Sequence, residues 1–338
     1  IRYLIVTGVQ TCALPISLQF AYRARRGVED ATTTLLNAVY KHTDTPKSYV
    51  RVLFVDFSSA FNTIQPHLLI QKLLNMDVHR NIILWIKDFL VDRAQCVRVN
   101  GTVSSLKTTS TGAPQGCVLS PVLFTLYTND CRSTEDSTLL VKFADDAAIA
   151  GLISNCDETP YRQMVSNFLS WCDNNYLVLN TKKTKEMVID FRTKKQDLLP
   201  VTIGNCDIEF VSEYKYLGTV MDSKLNWDKN TDKIYAKCQQ RLYFLRKLRS
   251  FNVNTYTLAL FYKTFIQSVL CFSIEAWSGA LTSKQKSKLS KVINQASKIS
   301  GTSFDNITSL GQRQVENLAF KICTDPDHFL HSEYKLLP

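Results

Sequence analysis

Two adjacent carboxylates, Asp145 and Asp146, interrupt an apolar part of the sequence. The residues before them (138–144) and after them (147–153) are mostly apolar, which predicts two short strands joined by a turn at the two aspartates. Neighbouring negative charges repel each other, and Asp-Asp is not a sequence that a tight turn favours, so we expect a cation here. Carboxylate oxygens are the usual protein ligands of Mg²⁺, which makes this ion the first candidate.

A third carboxylate, Asp56, follows a second apolar stretch at residues 52–55. That stretch predicts a buried strand, and a carboxylate at the end of a buried strand requires a partner. Asp56 and Asp145 are 89 positions apart in the sequence (145 minus 56), so they can meet only if their strands are neighbours. Carboxylates gathered in this way could hold divalent ions for phosphoryl transfer.

Between these acidic positions lies a loop of irregular composition. Gly112, Pro114 and Gly116 disfavour both helix and strand, and the dipeptide Ser120-Pro121 is a typical helix start before an apolar run. A loop that contains glycine allows its backbone to approach a ligand closely. The loop is therefore a candidate binding element next to the carboxylates.

The pattern of apolar residues predicts a mixed α+β fold around these positions. Helices are predicted near 28–42, 67–75, 81–90, after Pro121 and near 160–174, and strands at 52–57, 95–108, on both sides of Asp145 and at 185–191. The apolar segment 258–274 contains Lys263 and Gln267, which favours a packed helix over a membrane span. The sequence contains neither an internal repeat nor a long low-complexity linker.

The order of these motifs resembles that of a reverse transcriptase, in particular the type encoded by non-LTR (LINE-like) retrotransposons. The matching segments are FVDFSSAFNTI (54–64), GAPQGCVLSPVLF (112–124), FADD (143–146), WCDNNYLVLNTKKTKEMVIDF (171–191) and EYKYLGTVMD (213–222). Near the start, LQFAYRARRGVEDA (18–31) resembles the family's junction of fingers and palm. The resemblance covers the chain from Ser17 to the C-terminus.

The resemblance implies an α+β right-hand polymerase, with a ferredoxin-like palm sheet and its helices, truncated fingers, and a helical thumb with a C-terminal extension. The expected parts are fingers and palm at 17–226 and thumb at 227–338. Residues 1–16 include GVQTCALPI, which resembles a translated sequencing adapter, so we expect a non-native leader. The family's upstream Arg-Pro-Ile/Val box is not found, which predicts a fragment of a longer polyprotein that polymerises poorly.

The function implied by the resemblance is RNA-directed DNA polymerisation, in which two metal ions assist nucleotidyl transfer to a primer 3′-hydroxyl. The implied partners are an RNA template, a DNA primer and deoxynucleoside triphosphates, and the implied cofactor is two Mg²⁺ ions, with Mn²⁺ as the alternative. The implied site residues are, as catalytic groups, Asp56, Asp145, Asp146 and Lys183; as metal ligands, Asp56, Phe57, Asp145 and Asp146; at the nucleotide, Phe61, Gln115 and Gly116; at the primer, Tyr216, Leu217 and Gly218. Lys183 would protonate pyrophosphate, and Phe61 would exclude ribonucleotides.

The chain is basic, with 40 Lys and Arg against 30 Asp and Glu and a formal charge of +10. This balance suits a polyanionic partner, although ribosomal and membrane-surface proteins share it. After Trp227 a basic residue recurs every four positions, which places one set on a single helix face: Lys229, Lys233, Lys237 and Arg241. The set is either a solvated face or a phosphate-binding surface, and the resemblance favours the second.

The ten cysteines are scattered without a C-x-x-C pair, which favours a reduced protein inside the cell, in the nucleus or the cytoplasm. No membrane partner is expected, and the oligomeric state is left open. Two alternatives to an active polymerase remain. A remnant that has lost catalysis would bind RNA or DNA without extending a primer. A related palm polymerase, such as an intron maturase or a telomerase-like enzyme, is disfavoured by the detailed motif matches.

Overall fold

The computed structural model describes residues 18–133 and 135–334. These residues form two compact units. Within them, unit 1 comprises residues 18–26, 51–186 and 197–210, and unit 2 comprises residues 27–50, 187–196 and 211–334. The expected leader at 1–16 lies outside the described residues, and the expected division between palm and thumb at Trp227 stays a prediction.

Helices and strands are mixed throughout the described chain. The first part contains α1 Val28–Thr43, β1 Ser48–Val55, α2 Pro66–Asn75, α3 Arg80–Leu90, β2 Arg93–Gln95, β3 Arg98–Val99, β4 Thr102–Val103, β5 Lys107–Thr109, α4 Leu119–Tyr127, β6 Thr138–Phe143, β7 Asp146–Ser154, α5 Thr159–Asn174 and β8 Lys185–Ile189. The second part contains β9 Thr202–Ile203, β10 Cys206–Asp207, β11 Glu213–Tyr216, β12 Thr219–Asp222, α6 Asp228–Ser250, α7 Thr255–Phe261, α8 Ser268–Leu270, α9 Ile274–Trp277, α10 Ser283–Ser300, α11 Ile307–Thr324 and α12 His331–Tyr334.

A four-stranded sheet with the order β6-β7-β1-β8 positions the acidic residues. Strands β6 and β7 are antiparallel, and the pair Phe143 and Asp146 closes their hairpin. Strand β1 is central and buried at every residue, as its content of β-branched and aromatic residues favours. Asp56 therefore follows a central strand whose neighbour, β7, begins with Asp146.

Strand β1 begins four residues earlier than residue 52 and ends at Val55 rather than at residue 57. The early start includes Arg51, which breaks the apolar pattern and is nevertheless fully buried. After Val55 the chain leaves the sheet, and Phe57 forms an isolated antiparallel bridge with Leu179. The carboxylate of Asp56 thus lies just beyond the strand instead of within it.

Buried Arg51 lies at the centre of a polar network in unit 1. Its Nε donates to Oε1 of Glu186 at 2.8 Å, and its Nη1 donates to Oε2 of Glu158 at 2.6 Å. Its Nη2 donates to the carbonyl of Leu199 at 2.9 Å, and the hydroxyl of Tyr161 donates to Glu186 at 2.6 Å. A buried guanidinium is tolerated because each of its branches has an oxygen partner.

The segment expected to form one strand pair at 95–108 forms two short ladders instead, β2 with β5 and β3 with β4. Asn100 and Gly101 connect β3 to β4, with φ values of 48° and 83°. Asn-Gly is the sequence that tight hairpin turns prefer, because both central residues need a positive φ. A local turn signal therefore divides the longer pairing.

Helices dominate unit 2, and the longest is α6 with 23 residues. The single helix expected over 258–274 is not uniform. Helix α7 continues through the π-helix Tyr262–Gln267 into α8, which ends at Leu270, and α9 begins at Ile274. Among the described residues, no one helix has both the length and the apolar composition to cross a membrane. In residues 18–133 and 135–334, one pair of helices, Thr255–Leu270 and Ile274–Ala280, bent by 44°, meets those two criteria when taken together.

Candidate active site

The three predicted carboxylates lie at the ends of β1 and β7, which are neighbours in the sheet. Asp56 follows β1, Asp145 lies in the turn before β7, and Asp146 is the first residue of β7. Asp146 keeps an exposed surface, yet partial desolvation raises its pKa, and the charges of Asp145 and Asp56 raise it further. Asp146 is therefore close enough to both Asp145 and Asp56 for their charges to act on it.

The turn itself differs from the sequence prediction, which placed both aspartates at its tip. Because Phe143 pairs with Asp146, the two tip residues are Ala144 and Asp145, and Asp146 belongs to the strand. Ala144 has a φ of 58°, a value that residues other than glycine rarely adopt. A two-residue loop requires such a backbone, and here alanine supplies it.

Lys183 lies beside one of the three carboxylates, Asp56. Its Nζ is 3.8 Å from Oδ2 of Asp56. The segment that carries it runs beside Asp56, because the N–H of Asn180 donates to the carbonyl of Asp56 at 2.8 Å. The nearby Lys185 bonds instead to Glu209 at 2.6 Å. Of these two lysines, only Lys183 is paired with an acidic residue of the candidate site.

The fit of this site to a metal ion rests on its charge and donor atoms. Within residues 18–133 and 135–334, no group of three or more His, Cys, Asp and Glu side chains is arranged to hold a metal as it stands. The carboxylates supply hard oxygen donors, and the raised pKa of Asp146 records a repulsion that a cation would relieve. Since the side chains of Lys183 and Asp56 are 69% and 33% exposed, their ion pair can separate at small cost.

The glycine-containing loop docks on the segment that follows Asp56. The N–H of Gly112 donates to the carbonyl of Ile64 at 2.7 Å, and the N–H of Ala113 donates to the carbonyl of Phe61 at 2.8 Å. A Cβ at Gly112 would lie 2.8 Å from backbone atoms of Asn62, and its φ is +70°. Glycine is therefore required here by a close approach of two backbones, which fixes the loop on the segment that follows Asp56.

Gln115 and Gly116 occupy the exposed end of this loop. The Nε2 of Gln115 donates to Oδ1 of Asn62 at 3.2 Å. Gly116 has a φ of +79°, and a Cβ there would meet nothing within 4 Å. Asn62 was not a predicted site residue. The signal that could have identified it is its position directly after Phe61. The loop end is thus exposed to solvent, with the Gln115 amide held by Asn62 and open space around Gly116.

Phe61 lies in a short 3₁₀ turn, Ala60–Asn62, that begins after Ser59 at a φ of 57°. Its ring is half-exposed and lies 5.3 Å from the ring of Phe124, at an interplanar angle of 50°. One side of Phe61 is therefore packed on α4, and the remainder faces solvent. Phe61 is therefore only partly a core residue.

The predicted primer-binding residues belong to unit 2. Tyr216 is buried and pairs with Thr219, so Leu217 and Gly218 form a two-residue turn between β11 and β12. Their φ values are 45° and 92°, which makes the turn strained at Leu217. A Cβ on Gly218 would lie 2.8 Å from the ring of Phe272. The ring of Phe272, which lies outside the motif at 213–222 and was not a predicted site residue, therefore covers the turn.

The basic residues predicted on one face of α6 differ in their surroundings. Lys233 and Lys237 are exposed, and Lys229 is also exposed, 4.0 Å from a glutamate of β11. Arg241 is less exposed, and its guanidinium donates to the carbonyl of Phe265. The face is therefore formed by three solvated lysines and one arginine that is engaged within unit 2.

A family model described as reverse transcriptase (RNA-dependent DNA polymerase) matches residues 5–221, which is more than half of the chain. A shorter match, over residues 227–268, is to the model described as alkylated DNA repair protein alkB homolog 8, N-terminal. The first match includes every predicted site residue except those on α6.

Two curated relatives come from mobile elements of Drosophila melanogaster. The probable RNA-directed DNA polymerase from transposon BS is 25% identical over 279 residues, which is 78% of this chain and 30% of the relative. The RNA-directed DNA polymerase from mobile element jockey is 25% identical over 245 residues, which is 68% of this chain and 26% of the relative. The chain thus spans less than a third of the length of either relative.

Solved structures of telomerase are also similar to this chain. One from Candida albicans, in complex with a fragment of telomeric RNA, has 15% identity and a TM-score of 0.43, with 99% of this chain and 60% of that chain covered. Apo telomerase from Candida tropicalis has 13% identity and a TM-score of 0.47, with 94% and 56% covered. The family match and the motif order together show that this chain belongs to the reverse transcriptase family, with its mixed fold of helices and sheets, and confirm the resemblance to LINE-like members.

Proposed function

We propose that this chain is the RNA-directed DNA polymerase part of a LINE-like element protein. The observation that carries the proposal is the group of Asp56, Asp145 and Asp146 at the ends of the two central strands, where desolvation and then the charges of Asp145 and Asp56 raise the pKa of Asp146. A nucleotidyl transferase needs such a group, because phosphoryl transfer depends on neutralising the charge of the triphosphate. The proposed partners are an RNA template, a DNA primer and deoxynucleoside triphosphates.

The proposed palm is built on the four-stranded sheet. Numbered by their order along the chain, its strands lie in the order 2-3-1-4, with β1 and β7 central. This arrangement, with helices between the strands, supports a ferredoxin-like palm. The helices that follow Trp227, beginning with α6, are the proposed thumb and C-terminal extension, and the three solvated lysines on α6 would contact phosphates.

The proposed cofactor is Mg²⁺, bound as two ions, with Mn²⁺ as the alternative. The carboxylates of Asp56, Asp145 and Asp146 and the carbonyl of Phe57 would hold it. When bound, it would lower the pKa of the primer hydroxyl and neutralise the phosphates. Hard oxygen donors and mutual repulsion among the carboxylates support this assignment.

The other residues bind, orient and select the substrates. Lys183 would deliver a proton to the leaving pyrophosphate, because its ammonium group lies beside Asp56. Phe61 would lie beneath the sugar and exclude a 2′-hydroxyl. Gln115 and Gly116 would contact the template and the incoming nucleotide. A location inside the cell, in the nucleus or the cytoplasm, also stays a prediction.

Primer extension on an RNA template and on a DNA template tests the proposal. We expect the chain to extend a primer on RNA at a low but measurable rate, as the sequence predicts, and Asp145→Asn to reduce that kcat by at least about 100-fold, because it removes ligand charge. Binding of the primer-template should stay within about threefold, since the substitution removes no phosphate contact. The matched control is Asp88→Asn, an exposed carboxylate on α3.

Two results would contradict the proposal. Extension by Asp145→Asn at the wild-type rate would remove the carboxylates from the reaction. Tight binding of primer-template by the wild type without extension on either template, at any Mg²⁺ or Mn²⁺ concentration, would identify a nucleic-acid-binding remnant instead of a polymerase.

A further inference from the structure

The backbone of Ala144, next to Asp145, adopts a conformation that needs support. Its φ of 58° lies in the left-handed region, where a residue with a Cβ is strained. Glycine, asparagine or aspartate would relieve this strain at a turn, and this chain has alanine. Surrounding contacts must therefore hold the turn.

Gln19 supplies those contacts with one side-chain amide. Its Oε1 accepts a hydrogen bond from the N–H of Ala144 at 3.1 Å, and its Nε2 donates to the carbonyl of Ala144 at 3.4 Å. The same Oε1 also accepts from the N–H of Ala21 at 3.1 Å. Both polar groups of the strained residue are thus bound by a single side chain, which fixes the orientation of the amide.

The position of Gln19 is itself fixed. The side chain is 1% exposed, and residue 19 forms a parallel bridge with Lys142 of β6. The N–H of Lys142 donates to the carbonyl of Leu18 at 2.8 Å, and the N–H of Phe20 donates to the carbonyl of Lys142 at 2.9 Å. A buried amide held by a sheet edge is a rigid support for a neighbouring turn.

We propose that Gln19 is a positioning residue, which holds the peptide groups of Ala144 so that Asp145 and Asp146 present their carboxylates on the side of Asp56. The inference rests on the proposed function, because it assigns the turn to metal binding. Gln19 touches neither substrate nor metal, and it acts through the backbone of the turn. A residue that only filled the core would not need to bond both polar groups of Ala144.

Two substitutions separate positioning from packing. Gln19→Glu keeps the size and the acceptor but loses the Nε2 donor, so the carbonyl of Ala144 would face a carboxyl group. Gln19→Leu removes both hydrogen bonds and keeps a similar volume. The matched control is Gln285→Leu, because Gln285 is also buried, at 3% exposure, and its side chain bonds at the start of α10.

The test measures Mn²⁺ binding to the full chain by calorimetry, in the absence of nucleic acid, together with hydrogen exchange of the amides at 143–147. We expect wild-type binding to be weakened by Asp145→Asn. Both Gln19 variants should weaken it by about tenfold, equal to about 1.4 kcal/mol, and should speed exchange at the turn. Gln285→Leu should lower the melting temperature and change neither measurement.

The outcomes are distinct. If Asp145→Asn weakens Mn²⁺ binding and both Gln19 variants bind it like the wild type, the positioning role is wrong while the metal site stands. If the wild type binds no Mn²⁺, the proposed metal site fails, and the role of Gln19 fails with it. Should Gln19→Leu not fold, Gln19→Glu, which keeps the acceptor and the volume, is compared alone with the wild type: Mn²⁺ binding weakened by about tenfold supports the positioning role, and binding like the wild type overturns it.

Discussion

Lys183 and Asp56 form an ion pair in which Nζ lies 3.8 Å from Oδ2. Both side chains are partly solvated, so the pair contributes little to stability. The position of the ion pair matters more than its energy, because it keeps an ammonium group next to a carboxylate that is proposed to bind metal. When the triphosphate enters, the ammonium group can transfer from Asp56 to the phosphates.

The first prediction concerns this lysine. Lys183→Gln should lower kcat by about 100-fold, because a positioned general acid contributes roughly that factor, and should leave the melting temperature unchanged. Steady-state primer extension and thermal unfolding measure the two effects. Lys182→Gln, the exposed neighbour, is the control, and an equal loss of kcat in both variants would show that only local charge matters.

The second prediction concerns the choice of sugar. Phe61→Val should raise the incorporation of ribonucleotides relative to deoxyribonucleotides by about 10–100-fold, because the proposed rejection is steric and a smaller side chain opens the space. Single-nucleotide extension with each substrate gives the ratio of kcat/KM. An unchanged ratio would mean that Phe61 serves only to pack on Phe124, 5.3 Å away.

The third prediction concerns the lysines on α6. Changing Lys229, Lys233 and Lys237 together to Gln should weaken the binding of an RNA–DNA duplex and reduce its log–log salt slope by about two to three units. Arg241 is left in place because it bonds to the carbonyl of Phe265.

The matched control for that variant changes three exposed lysines of α10, Lys284, Lys291 and Lys298, to Gln. It removes the same amount of positive charge from a different helix. Fluorescence anisotropy from low to high salt measures both variants. If the two lose the same slope, the effect belongs to net charge and the α6 face has no specific role.

The fourth prediction concerns pH. The pKa of Asp146 is raised in the folded chain by desolvation and by Asp145 and Asp56, so the folded state binds this proton more tightly than the unfolded state does. Stability should therefore fall as the pH rises through the raised pKa. At pH values above the raised pKa of Asp146, Asp146→Asn should melt at a higher temperature than the wild type. At pH values well below that pKa, the two proteins should melt at the same temperature.

Melting curves in a metal chelator and with added Mg²⁺ check this prediction. The advantage of Asp146→Asn should shrink or reverse when Mg²⁺ is added, since the ion compensates the carboxylates only in the wild type. The same advantage at every pH would show that the substitution acts by something other than charge.

Local signals in the sequence were sufficient for much of the fold. The helices near 28–42, 67–75 and 81–90 were found within two residues of their observed ends, because each has an apolar face and a clear end signal. The start of β1 was missed, because Arg51 is made compatible with burial by Glu158 and Glu186, far along the chain. Periodicity cannot show a charge that is neutralised at long range.

Some residues of the candidate site could also be predicted from local sequence, and others could not. The acidic residues and the loop glycines were found because their types and spacing are characteristic. The proposed role of Gln19 could not be predicted in this way, because it depends on a contact with Ala144, 125 positions away. It also depends on the positive φ of Ala144, which the residue type alanine does not indicate. The ring of Phe272 over Gly218 was missed for a related reason: the partner lies outside the recognised motif.

The network around Arg51 also bears on the order in which the chain can fold during synthesis. Its partners Glu158, Glu186 and Leu199 are made 107, 135 and 148 residues after it. Until they emerge from the ribosome, β1 cannot enter a core without burying an unpaired charge, which costs about 3–5 kcal/mol. Unit 1 should therefore remain open until Leu199 has emerged from the ribosome, 148 residues after Arg51, and its apolar strands should stay accessible to chaperones or to aggregation throughout that interval.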